Sequence, residues 1–192
     1  MGAQLVDSSV AAFTSAKSRK PPSVRLFLAL WPPERVRQAL QAIQARVLWP
    51  QHAALVAAER LHVTLHFLGQ VPQARVEQLR AALTVPCEPH FLELETARAT
   101  CWHGGLAVLE LQAPPPLQRL HAALAQALRA LEWPVESRPF RPHITLARRA
   151  SGAKPPADPP SPSPLWPVDR GYVLVRSVPA RGYEVLHDYP SA

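Results

Sequence analysis

The sequence has few cysteines and no long apolar run, and both shortages narrow the classes of protein to consider. Its two cysteines, Cys87 and Cys101, are too few for a disulfide framework and lack the paired spacing of a zinc site. No apolar run approaches the ~18–20 residues that cross a membrane, and Asp7 interrupts the stretch where a secretion signal needs continuous apolar residues. We therefore expect a cytoplasmic protein without a membrane-bound part.

Lysine is also scarce, because Lys17, Lys20 and Lys154 are the only lysines among 21 basic residues, and arginine supplies most of the net charge of +7. The planar guanidinium group donates several hydrogen bonds to phosphate, which suits an anionic partner such as RNA. A genome-wide bias toward Arg, Ala and Pro explains the charge equally well. The charge alone therefore does not identify a partner.

The chain divides into a leader and one folded domain. Residues 1–23 show no periodicity and are predicted to be flexible, and residues 24–192 form a single domain. Prolines crowd residues 151–164, which predicts a surface loop, and residues 170–188 are predicted to form a terminal hairpin. Half of such a domain buries too little surface to be stable alone, so two lobes should pack together around a cleft.

An internal repeat appears when the sequence is shifted by 81 positions. Residues 26–30 then align with 107–111, and residues 60–65 align with 141–146 without a gap. Each half has a short strand, a proline-marked turn, a helix, and a strand that carries His-x-Thr.

The halves span about residues 24–95 and 105–150. Apolar residues at spacings of three and four predict helices at 34–48 and 115–131, and a third helix is predicted at about 72–84.

The repeated His-x-Thr motif is the strongest candidate site. Because side chains at i and i+2 of a strand share a face, His62 projects with Thr64, His143 projects with Thr145, and both pairs can meet at one cleft. One imidazole can accept a proton from water while the other donates one to a leaving oxygen, since histidine titrates near ~6.5. The motif pair predicts metal-independent phosphoryl transfer.

Two longer stretches around the motif resemble signatures of a known family. They are LHVTLHFLG at residues 61–69 and RPFRPHITLAR at residues 138–148. Both are similar to motifs of the 2H phosphoesterase superfamily, and within it of the RNA 2′,3′-cyclic phosphodiesterases, historically called 2′-5′ RNA ligases. The resemblance covers about residues 24–190, and the leader is a departure from it.

The resemblance implies an α+β fold with two lobes related by a pseudo-two-fold axis. Two antiparallel sheets would face a central cleft, with helices outside. It implies that the chain opens RNA or nucleotide 2′,3′-cyclic phosphates to 2′-phosphates without a cofactor. His62 would protonate the departing 3′ oxygen, His143 would activate water, and Thr64, Thr145 and Arg148 would bind the phosphate.

Several assignments stay open at this stage. Strict alternation along a strand puts Arg148 on the face opposite His143, so the strand must end or twist there if Arg148 is to bind phosphate. Four further residues are candidates to line the cleft or stack on a base, and packing or solvation explains them as well: Phe27, Tyr183, Arg60 and Arg141. No sequence feature separates packing from RNA contact for the five tryptophans.

A metal site is not expected. His62 and His66 lie about 13 Å apart on a strand at ~3.3 Å per residue, which is too far for one ion. The remaining histidines have no partner in the repeat and are expected at the surface or in packing: His52, His90, His103, His121 and His187.

Two other functions remain open: reversible 2′-5′ joining of RNA, and non-catalytic binding of an RNA end or nucleotide. A protein that only binds RNA does not need two titratable histidines at equivalent positions of a repeat, and their presence favours an enzyme. No obligate protein partner is evident in the sequence.

Two histidines without carboxylate or thiolate partners at ligand spacing predict activity that does not depend on a metal. Turnover of a nucleoside 2′,3′-cyclic phosphate should therefore survive dialysis against EDTA, measured against an undialysed sample. Loss of turnover that zinc or manganese restores would contradict this mechanism.

Overall fold

Residues 21–155 and 165–191 are described by the computed structural model, which contains strands and three α-helices. The predicted leader up to residue 20 and the loop residues 156–164 lie outside the described residues. The helices are α1 (Glu34–Arg46), α2 (Val76–Ala82) and α3 (Pro115–Ala130). The strands are β1 (Ser23–Leu30), β2 (Ala54–Leu55), β3 (Val63–Pro72), β4 (His90–Glu93), β5 (Arg98–Trp102), β6 (Leu106–Glu110), β7 (His143–Arg148), β8 (Leu165–Val168), β9 (Tyr172–Val178) and β10 (Gly182–Tyr189).

The strands pair in an antiparallel order that reflects the repeat. The order is β10-β9-β1-β3-β7-β6-β5, β2 lies beside β7, and β4 pairs with β8 in a small separate sheet. A single residue pair, Val63 with Ile144, joins β3 to β7. The predicted α+β class with antiparallel sheets is confirmed, and the two predicted sheets are continuous through that one pair.

The predicted helices are present because their apolar residues recur on one face. Val36, Leu40 and Ile43 of α1 are buried, as are four leucines of α3, and all join one core with Leu26 and Leu28 of β1. The third helix begins later than predicted. β3 extends to Pro72, opposite Ser23, and a short 3₁₀ turn at Gln73–Arg75 precedes α2. No helix of the described residues is long and apolar enough to span a membrane.

A β-bulge follows each His-x-Thr threonine. Thr64 pairs with Ala29 but His66 pairs with Leu28, so Leu65 is an extra residue in β3. In β7, Leu146 is extra in the same way. The two bulges are 81 positions apart, as the repeat requires.

The bulges reverse the alternation of side chains beyond them. In β3, His66 turns into the core, where it is buried. In β7, Ala147 is buried and the exposed Arg148 returns to the face of His143 and Thr145. Arg148 therefore lies on the same face as His143, where strict alternation would not have put it.

Each bulge lies against a side chain from the helix of the other half. The Leu146 carbonyl accepts hydrogen bonds from Gln44 Nε2 of α1 (2.8 Å) and from the Val56 amide (2.8 Å). Gln44 Nε2 also donates to the Val56 carbonyl, at 2.9 Å. Burial lowers the pKa of His121 of α3 to about 4, while the Leu65 backbone raises it, so this ring lies beside the bulge in β3. The helices thus contact the backbone that positions the motif residues.

Replacing Gln44 with leucine should destabilise the fold by about 1–3 kcal/mol, because the partly buried Val56 carbonyl loses the Gln44 donor and the buried Leu146 carbonyl keeps only the Val56 amide. Urea denaturation measures the change in the free energy of unfolding. Gln41→Leu on the exposed face of α1 is the matched control and should change it by less than about 0.5 kcal/mol. Equal losses in both variants would show that the Gln44 amide does not hold the bulge.

Candidate active site

The two motif histidines are oriented by the same backbone contact in each half. His62 Nδ1 lies 2.6 Å from the Arg60 carbonyl oxygen, and His143 Nδ1 lies 2.7 Å from the Arg141 carbonyl oxygen. A carbonyl can only accept, so each Nδ1 carries the hydrogen and donates it. Each ring therefore keeps Nε2 available for proton transfer, free of hydrogen when neutral and protonated when charged.

Aromatic rings enclose His62. The Trp31 ring stacks on it at a centroid distance of 5.4 Å and an interplanar angle of 9°, Phe27 lies at 5.0 Å, and the edge of Tyr183 lies at 5.3 Å. Burial is the main reason that the pKa of His62 is lowered to about 4, with the positive charges of His143 and Arg148 as smaller contributions. His143 lies near His62, although it belongs to the other half of the chain, because the residues that follow them, Val63 and Ile144, pair in the ladder.

The threonines share the histidines' face. Thr64 Oγ1 lies 3.1 Å from His62 Nε2, and both Thr64 and Thr145 are half-buried. The pairing of Val63 with Ile144 puts the two His-x-Thr pairs side by side on one face, and Arg148 lies on that face. Two ring nitrogens, two hydroxyls and a guanidinium can then surround one phosphate.

His143 lies beside one aromatic ring and a network of charged side chains. The Trp102 ring lies 4.4 Å from it, and Trp102 Nε1 donates to Glu110 at 2.6 Å. Glu110 also accepts from Arg98 (2.9 Å) and from Arg141. Burial lowers the pKa of His143, while the Glu110 carboxylate raises it. The two histidines thus differ in environment although they occupy equivalent positions.

The arginines expected to line the cleft also differ. The Arg60 guanidinium lies over the Tyr183 ring, 5.9 Å from its centroid. Arg141 pairs with Glu110 and lies over the Trp102 ring at 4.6 Å, so its charge is partly neutralised. Phe27 and Tyr183 both contact His62, which places them in the cleft, and stacking on a base stays a prediction.

Sequence reasoning missed Trp31, Trp102 and Glu110 as site residues. No sequence feature distinguishes Trp31 and Trp102 from the other three tryptophans. Glu110 aligns with Ala29 in the repeat, so the repeat gave no hint of it. A charged residue at the end of the otherwise apolar strand LAVLE was the available signal.

Histidines outside the motif pair pack or lie at the surface, as expected. The buried His66 ring stacks on His121 at 4.1 Å, and His121 stacks on Phe140 at 3.9 Å. His52 and His103 are exposed. Within the part of the chain that the structure describes, no group of three or more His, Cys, Asp or Glu side chains is arranged to hold a metal.

Comparisons with known proteins agree with this geometry. Residues 32–159 match the family model of the 2′-5′ RNA ligase superfamily. The RNA 2′,3′-cyclic phosphodiesterase of Thermus thermophilus is 34% identical over 171 residues, which cover 80% of this chain and 82% of that protein. The Escherichia coli protein of the same name is 35% identical over 133 residues, covering 67% and 74% respectively.

Solved structures show the same fold. Escherichia coli LigT complexed with 3′-AMP has a TM-score of 0.77 at 30% identity, with 89% of this chain and 99% of that chain covered. A structure described as a phosphoesterase has a TM-score of 0.79 at 29% identity and the same coverage. Family match, relatives and fold lead to one conclusion: the chain belongs to the 2′-5′ RNA ligase superfamily.

Proposed function

We propose that this chain hydrolyses RNA or nucleotide 2′,3′-cyclic phosphate ends to 2′-phosphates, with His62 and His143 as its acid–base pair. The observation that carries the proposal is the matched pair of imidazoles, each fixed through Nδ1 with Nε2 available. The names of the Thermus and Escherichia relatives support the substrate class.

The reaction needs only groups that the site supplies. A water oxygen attacks phosphorus while one neutral imidazole takes its proton, and the bond from phosphorus to the 3′ oxygen breaks. The other imidazole, protonated, gives its proton to that oxygen, which leaves the phosphate on the 2′ oxygen. Thr64, Thr145 and Arg148 would hold the non-bridging oxygens as negative charge develops.

The product isomer tests the proposed function. The purified chain should convert each of the four nucleoside 2′,3′-cyclic phosphates to a nucleoside 2′-phosphate, resolved from the 3′ isomer by chromatography. Formation of the 3′-phosphate would contradict the bond cleavage proposed here. The reverse reaction would join a cyclic phosphate end to an RNA with a free 5′ hydroxyl, and it needs the same groups. Incubating the chain with both kinds of RNA end together tests for this joining.

The division of roles is set by resemblance, with His62 as the acid and His143 as the base. The protein groups alone favour the opposite assignment, because burial among aromatic rings lowers the pKa of His62 to about 4, while the Glu110 carboxylate opposes the lowering of the pKa of His143 by burial. An anionic phosphate beside both Nε2 atoms raises both pKa values. Either assignment gives a bell-shaped pH profile of the same form, so the profile does not separate them.

A leaving group that needs no proton separates the two roles. His62→Ala and His143→Ala should each lower turnover of the cyclic phosphate by about 10²–10⁴-fold. On a 4-nitrophenyl phosphodiester, the His62 variant should recover much of its lost rate and the His143 variant should not. Recovery in the His143 variant alone would reverse the assignment. Equal loss in both would mean that the histidines only hold the phosphate.

Replacing Glu110 with glutamine should lower the pKa of His143, because the carboxylate that supports its protonated form is gone. NMR titration of the imidazole signals measures the pKa of each histidine separately. Glu93→Gln, an exposed carboxylate on β4, is the control and should leave the pKa of His143 unchanged. An unchanged pKa in the Glu110 variant would contradict the electrostatic coupling.

A further inference from the structure

The sheet face that carries His62 continues past the candidate site to an exposed aromatic ring. Phe67 is 66% exposed and pairs across the ladder with Phe27, with ring centroids 6.1 Å apart. Phe27 in turn lies 5.0 Å from His62. The bulge at Leu65 puts Phe67 on this face, since regular alternation from His62 would have turned it inward.

The surroundings of Phe67 change from apolar to cationic along the strands. Arg25 lies two residues beyond Phe27 on β1, on the same face, and pairs with Gln70 of β3 and Ser177 of β9. Arg25 is exposed, and no carboxylate in the described part of the chain forms an ion pair with it. Away from the motif, the face thus presents first an aromatic ring and then a positive charge.

The spacing of these features follows from strand geometry. At ~3.3 Å per residue, the level of Phe27 and Phe67 lies about 7 Å from that of Thr64, and the level of Arg25 lies about 13 Å from it. A polynucleotide that leaves the cleft along this face would therefore meet the ring before the guanidinium.

We propose that this face binds the RNA preceding the cyclic end, with Phe67 stacking on the base next to the terminal nucleotide and Arg25 binding a phosphate beyond it. The proposal rests on the proposed function and adds a second nucleotide-binding subsite to it. An open sheet face with an exposed aromatic ring and a neighbouring cation suits single-stranded RNA, because every base offers a flat apolar surface linked to a negative charge.

Continuity and charge favour RNA over a second protein molecule. Phe27 contacts both the Phe67 ring and His62, so Phe67 lies one side chain away from the candidate site. The net charge of +7 also favours an anionic partner. The exposed apolar side chains of this face are Phe67, Tyr183 and Val185, and the exposed Arg25 and Gln70 lie on the same face, so polar and cationic groups accompany the apolar surface.

The test compares a nucleoside 2′,3′-cyclic phosphate with a short oligonucleotide that ends in the same cyclic nucleotide. In the Phe67→Ala variant, the ratio of kcat/KM for the oligonucleotide to kcat/KM for the mononucleotide should fall roughly 5- to 100-fold, through KM. Phe67→Trp should preserve the ratio, because it keeps a stacking surface. Phe91→Ala, an equally exposed phenylalanine (59%) on β4, is the matched control and should also preserve it.

The salt dependence of oligonucleotide binding tests Arg25 separately. Losing one phosphate contact with a single strand should reduce the slope of log affinity against log salt by about 0.7 in the Arg25→Gln variant. Arg46→Gln, at the exposed end of α1, should not change the slope. Fluorescence anisotropy with an oligonucleotide ending in a 2′-phosphate measures this affinity.

Each result has one meaning. An unchanged kcat/KM ratio in Phe67→Ala overturns the stacking role, and an unchanged salt slope in Arg25→Gln overturns the phosphate contact. A change in sedimentation of the Phe67 variant without a change in the ratio would assign the ring to self-association instead. If the unmodified chain does not open the mononucleotide, the proposed function fails, while anisotropy still tests whether Phe67 and Arg25 bind RNA.

Discussion

A backbone carbonyl displaced from a β-ladder needs a new donor, and in this chain that need links each half to the other. Gln44 of α1 donates to the bulged carbonyl of Leu146 in β7, and the His121 ring of α3 lies beside the bulged Leu65 in β3. The bulges determine which side chains face the cleft beyond each threonine. The candidate site therefore depends on contacts made behind the sheet, on the side away from the phosphate.

Local sequence patterns predicted much of this arrangement. The long helices and the shared face of each histidine and its threonine follow from residues close together in the chain, and the repeat follows from comparing such local patterns 81 positions apart. The bulges could not be predicted, because strand register depends on partners more than 30 residues away. The orientations of His66, Phe67 and Arg148 follow from register and differ from those that strict alternation would give.

The repeat also concealed how differently the two halves surround their histidines. Trp31 stacks on His62, while His143 contacts Trp102 and feels the Glu110 carboxylate. The alignment equates Glu110 with Ala29, which carries no charge. A symmetric motif in asymmetric surroundings therefore gives two imidazoles whose pKa values have different causes: burial dominates for His62, while the Glu110 carboxylate opposes the effect of burial for His143.

The join between the halves has a mechanical consequence. A ladder that narrows to the single pair Val63–Ile144 resists bending less there than a sheet of full-length neighbours would. That pair directly follows His62 on one side and His143 on the other, so any bending at this join acts beside both imidazoles. The one ladder pair between β3 and β7 therefore sets the spacing of the two motif histidines.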